Sequence, residues 1–91
     1  MNRLRVENEY GILGVQIVRC HEVLGSLESA WAEDEWLAKE TVMHVRDELN
    51  GMLVRAHTAR DHADTEELRA GLTRRIEEIG TLRESVELLL S

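Results

Sequence analysis

The sequence predicts an all-α protein, either an antiparallel three-helix bundle or a helical hairpin with coiled-coil-like seams. Apolar residues recur at alternating steps of three and four along most of the chain, and proline, which interrupts helices, is absent. A helix that carries such a seam needs a second helix to cover it. We therefore expect one helical domain over residues 1–91, with helices at about 8–31, 35–62 and 65–90.

The first predicted helix carries the first seam. Its members are Tyr10, Leu13, Ile17, Cys20, Leu24, Leu27 and Trp31. Residues 10–18 are apolar on nearly all sides of a helix, so Ile12, Val15 and Val18 fall outside this seam. A β-strand is the competing interpretation, because the stretch contains β-branched residues and two glycines. If it is helical, Tyr10, Ile12, Val15 and Val18 form either a self-association surface or a face covered within the monomer.

The second predicted helix carries a seam of the same kind. Its members are Ala38, Val42, Val45, Leu49, Met52, Ala56 and Ala59. No strong helix breaker separates the first two seams, so one helix over about residues 8–62 is the alternative to two. Continuing the first seam would place Asp34 or Glu35 in the core, where an unpaired charge is costly. We therefore favour a turn near residues 32–35.

The third predicted helix follows a turn at about residues 62–64. Asp64 can cap the helix, and Glu67 three residues later completes a capping-box pattern. The third seam consists of Leu68, Leu72, Ile79, Leu82, Val86 and Leu89. Arg75 occupies an expected apolar position between Leu72 and Ile79, so its guanidinium must meet an acid or extend to the rim.

The charge and the cysteine count indicate the class of partner and the compartment. With 18 acidic and 11 basic residues the formal net charge is -7, which disfavours nucleic acid and anionic lipid as partners. No stretch approaches the ~20 apolar residues of a membrane span, and the N-terminus lacks the apolar region of a signal peptide. The single Cys20 excludes an internal disulfide, so we expect a cytoplasmic protein.

The sequence predicts neither a metal site nor a cofactor. Glu40 and His44, like His57 and Asp61, are four residues apart and could share a helix face. The second seam, however, places all four away from the core, whereas di-metal bundles need ligands that point inward from several helices. Phosphate-binding loops, serine elbows and paired-cysteine clusters are also absent, so we expect no catalytic residue of these types.

One enzyme family shares features with the second and third predicted helices, in the residues Arg46-Asp47-Glu48, Ile76-Glu77-Glu78 and Glu84. These residues loosely resemble the corresponding helices of the helical chorismate mutases. The resemblance implies a small all-helical enzyme whose subunits interlock around an arginine-lined pocket, and Arg75 is the residue here that suits such a pocket. The first helix departs from the family, because Arg3, Arg5 and Arg19 do not match its arginine spacing and an acid replaces its closing glutamine.

Acidic residues concentrate at one end of the predicted bundle. In an up-down-up topology the first turn and the C-terminus lie together, which gathers Glu33, Asp34, Glu35, Glu84 and Glu87. This patch could dock a basic protein surface, including as a phosphate-mimicking inhibitor, or it could be the solvated end of an acidic protein.

The functional class that these patterns favour is a small helical protein–protein interaction module, acting as an adaptor, a chaperone-like protein or a regulatory or inhibitory protein. A domain of this size buries only about 60–65 % of its unfolded surface, and this one has no phenylalanine to fill its core. Oligomerisation would compensate, so we expect a homodimer.

Overall fold

The computed structural model describes residues 2–91, apart from the side chain of Glu28, and these residues form three helices. Helix α1 spans Arg3–Glu33, α2 spans Glu35–Asp61 and α3 spans Glu66–Leu90. The prediction of an all-helical chain is thus confirmed. Residues 10–18 are helical, so the strand interpretation is wrong. The break at Asp34 also rules out one helix over residues 8–62.

A side-chain cap at each helix start explains where the helices begin. The Asn2 side-chain oxygen accepts a hydrogen bond from the Arg5 amide at 2.9 Å, so α1 begins earlier than the predicted start near residue 8. Asp34 ends α1 and opens α2, because its amide donates to the Ala30 carbonyl and its carboxylate accepts from the Leu37 amide. The predicted turn at residues 32–35 is therefore a single residue.

The cap of α3 is Thr65 rather than the predicted Asp64. The Thr65 hydroxyl accepts a hydrogen bond from the Leu68 amide at 3.1 Å, while the Asp64 carboxylate lies 3.9 Å from the Arg3 guanidinium. Asp64 and Thr65 both have side chains that cap helices well, and the local backbone selects the second of them.

The three helices run up, down and up along one long axis. The N-terminal part of α1 lines a cleft together with the start of α3, and Trp31 near the end of α1 lines another with Leu89 near the end of α3. Helices α1 and α3 are therefore parallel to each other. Helix α2 packs more extensively on each of them than they pack on one another. One side of α1 is consequently left without a neighbour.

The core is one cluster to which all three helices contribute. Its buried members are aliphatic residues, a methionine and a cysteine: Val6, Leu13, Ile17, Cys20, Leu27, Ala38, Val42, Val45, Leu49, Met52, Ala56, Ala59, Ala63, Leu72, Ile79, Leu82 and Val86. Every member of the second seam is buried. Leu89, predicted as a member of the third seam, is not part of the core. It is 41 % exposed and lines the open cleft beside Trp31 at the end of the bundle.

Candidate functional site

The outer side of α1 presents an apolar surface, which we call the α1 strip and define as Gly11, Ile12, Val15 and Val18. The three side chains are 47, 64 and 56 % exposed in that order. The seam residues of the same helix point to the opposite side, into the core. A Cβ atom added at Gly11 would meet nothing within 4 Å, so the strip has an open depression at this position.

Tyr10, predicted to belong to the same surface, lies instead in the contact between α1 and α3. A Cβ atom added at Gly71 of α3 would lie 2.9 Å from its ring. The guanidinium carbon of Arg75, four residues further along α3, is 4.1 Å from the ring centroid, which is within the range of a cation–π interaction. The tyrosine ring therefore packs between α1 and α3.

Arg75 is fixed at one edge of the α1 strip. Its Nε donates to the Tyr10 carbonyl oxygen at 3.3 Å, and an Nη atom lies 3.7 Å from the Glu78 carboxylate. The side chain is 21 % exposed, so it reaches the rim as predicted for an arginine at a seam position. Gly14 makes room for it, because a Cβ atom there would lie only 2.6 Å from the Arg75 guanidinium. Arg75 thus lines a cleft with Gly11, Gly14, Val15 and Val18.

A second arginine borders the other edge of the strip. Arg19 is exposed and lines a shallow cleft with Gly11, Ile12 and Val15. Two arginines therefore flank an apolar strip in a chain whose net charge is -7. A carboxylate of a partner could pair with a guanidinium at either edge, although Glu7 also lines the Arg19 cleft and Glu78 lies beside Arg75.

The predicted acidic patch lies at the end of the bundle where α1 meets α2 and α3 ends. All five carboxylates are on exposed residues: Glu33, Asp34, Glu35, Glu84 and Glu87. Two of them have roles within the monomer, since Asp34 caps α2 and the Glu35 carboxylate lies 3.4 Å from the Lys39 ammonium. Asp34 keeps its negative charge as a cap, so Glu35 is the member of the patch whose charge is partly offset, by Lys39.

The histidines of α2 do not converge with other metal-ligating groups. His44 and His57 are exposed, and one His57 ring nitrogen lies 3.2 Å from the Arg60 guanidinium. Within the part of the chain that the structure describes, no three His, Cys, Asp or Glu residues are grouped as metal ligands would be.

Cys20 is buried in the core, and its environment disfavours the thiolate. Burial, and to a lesser degree the Glu48 carboxylate, raise the pKa of the Cys20 thiol above its ordinary value of 9.0, while Arg19 opposes the shift. A low thiolate fraction and little access to solvent make this thiol a poor nucleophile.

The raised pKa of Cys20 predicts a loss of stability at alkaline pH. The folded state holds the thiol proton more tightly than the unfolded state, so this contribution is complete below about pH 9 and is lost as the pH rises toward the folded pKa. Denaturant unfolding at pH 7 and pH 10 should show a larger loss for the unmodified chain than for Cys20→Ala. Equal losses in the two proteins would contradict this role of the thiol.

Comparisons of the chain with models of known protein families, with curated protein sequences and with solved structures found no match. Among residues 2–91, none of the helices contains a stretch long and apolar enough to cross a membrane.

Proposed function

We propose that this chain is a small acidic protein–protein interaction module that acts by helix packing through the α1 strip and forms a homodimer. The observation that carries the proposal is the exposure of Ile12, Val15 and Val18 side by side on α1, one face of which has no neighbour. Burying apolar surface contributes roughly 25 cal/mol per Å², so a second helix laid on this strip would be stabilised. Contiguous exposed apolar surface commonly marks such contacts.

An adaptor, a chaperone-like protein and a regulatory or inhibitory protein would each use a contact of this kind. A cytoplasmic location is part of the proposal, because an unpaired cysteine is typical of a reducing compartment.

Two other functions have weaker support. An enzyme with an arginine-lined pocket between subunits would need several arginines that converge on one cavity, whereas Arg19 and Arg75 line separate clefts. Docking of a basic protein on the acidic patch would compete with the internal roles of Asp34 and Glu35. The α1 strip has no such competing role, which is why we prefer it.

Sedimentation velocity over a concentration series of about 1–100 μM tests the proposal. The unmodified chain should dimerise, and Val15→Glu or Val18→Glu should give monomers, because each buries a charge in the contact. Val54→Glu is the matched control, since Val54 is 67 % exposed on α2, close to the 64 % of Val15.

All three variants should keep their helical circular dichroism, because the altered residues are exposed. A monomeric unmodified chain over the whole series would contradict the dimer. Equal loss of association in Val54→Glu would show that the α1 strip is not the contact.

A further inference from the structure

We propose that two copies pack their α1 strips against each other in antiparallel orientation, so that Glu22 of each copy pairs with Arg75 of the other. This inference rests on the proposed function and adds the orientation of the partner and the charges that select it. It follows from the order of residues along α1, from the position of Arg75 and from the space above Gly11.

Four residues follow one another along a single line on the outer side of α1. Gly11, Val15, Val18 and Glu22 are separated by steps of four, three and four, which keeps them on one helix face. Glu22 is exposed and forms no ion pair within the described part of the chain. The line therefore ends in a carboxylate at Glu22, while near its start Arg75 lines a cleft with Gly11 and Gly14 and has its guanidinium beside Gly14.

The order of charges selects the orientation of the second copy. In a parallel two-fold pair each residue on this central line faces its own counterpart, which would bring Glu22 near Glu22 of the other copy. Like charges held close together are unfavourable and act against such a pairing. In an antiparallel pair the two ends of the line exchange places, so opposite charges meet at both ends.

The register follows from the equal spacing on either side of the two valines. If Val15 of one copy faces Val18 of the other, then Glu22, four residues beyond Val18, faces Gly11, four residues before Val15. The arrangement is isologous, so each contact occurs twice. In this register Val15 of each copy is buried against Val18 of the other.

The local structure around Gly11 suits an incoming carboxylate. The position has open space above it, because no atom lies within 4 Å of an added Cβ. Arg75 is already oriented by the Tyr10 ring and by the Tyr10 carbonyl oxygen. An arginine fixed in this way loses little side-chain entropy when it binds a carboxylate, which favours the contact.

A charge exchange measured by sedimentation tests the ion pair. Glu22→Arg alone and Arg75→Glu alone should each weaken dimerisation by roughly tenfold or more, because each places like charges together. The double variant restores opposite charges and should recover most of the affinity.

Glu77→Arg is the control, since it makes the same charge change on an exposed residue of α3 and should leave the dimer unchanged. Arg75→Glu places a second carboxylate beside Glu78 and could therefore misfold. Arg75→Gln removes the positive charge without adding a negative one, and it should also weaken the dimer. Failure of the double variant to recover affinity would overturn the ion pair.

Disulfide trapping tests the orientation in a Cys20→Ala background. In the proposed register Asn8 of one copy faces Gly25 of the other, and both residues are exposed. Asn8→Cys and Gly25→Cys should therefore crosslink when mixed and remain uncrosslinked when each is alone. Crosslinking of each variant with itself would overturn the antiparallel arrangement while leaving the α1 strip as the contact. A monomer at all concentrations would instead overturn the proposed function and this inference together.

Discussion

Leu49→Ala should lower the free energy of unfolding by about 3 kcal/mol, the largest effect we expect from a single substitution. Leu49 is fully buried in the middle of α2, the helix that packs on both others. Removing its branched end leaves a cavity that the surrounding aliphatic side chains fill only in part. Because a chain of this size has a total stability of roughly 5–14 kcal/mol, this loss is a large share of it.

Denaturant unfolding at a fixed protein concentration measures this effect, since dimerisation would otherwise contribute to apparent stability. Leu88→Ala is the control, because Leu88 is 77 % exposed on α3 and the same change there should alter stability by less than about 0.5 kcal/mol. A comparable loss in both variants would mean that α2 is not the centre of the core.

Gly71→Ala should destabilise the bundle, although alanine is the better helix former. Replacing glycine inside a helix normally gains about 1 kcal/mol. Here the new Cβ atom would lie 2.9 Å from the Tyr10 ring, which is also in contact with the Arg75 guanidinium. Overpacking of this kind costs about 1–3 kcal/mol, so the balance should favour the wild-type glycine.

Gly51→Ala provides the comparison for Gly71→Ala. Gly51 lies inside α2, is exposed, and a Cβ atom there would meet nothing within 4 Å. This substitution should therefore stabilise the protein by about 0.5–1 kcal/mol. Thermal unfolding of the two variants should move the midpoint in opposite directions, and a rise for Gly71→Ala would show that the Tyr10 ring yields without cost.

The sequence was sufficient to predict the helices because their seams are long and regular. The second seam, from Ala38 to Ala59, is buried at every predicted position. The cost of burying Asp34 correctly located the first turn. The helix starts were harder to predict, because Asn2 extends α1 and because Asp64 and Thr65 are both good caps. Which of two adjacent capping residues is used depends on the backbone conformation of the folded chain.

The surface features were predictable only in part. Ile12, Val15 and Val18 were recognisable because they fall outside a seam that already faces the core. The stacking of Arg75 on Tyr10 was not, since these residues are 65 positions apart and meet only through the packing of α1 on α3. Gly14 and Gly71 gave a weak signal, because a glycine within a helix can mark a close approach without indicating what approaches.

The positions of the tyrosine and the tryptophans allow the two ends of the bundle to be followed separately by spectroscopy. Tyr10 is the single tyrosine of the chain, and it lies in the contact between α1 and α3. Trp31 and Trp36 lie on either side of Asp34, at the opposite end of the bundle. Tyrosine and tryptophan signals therefore report on separate ends of one small molecule, without any label. Opening of one end alone would change one signal before the other, whereas cooperative unfolding would change both together.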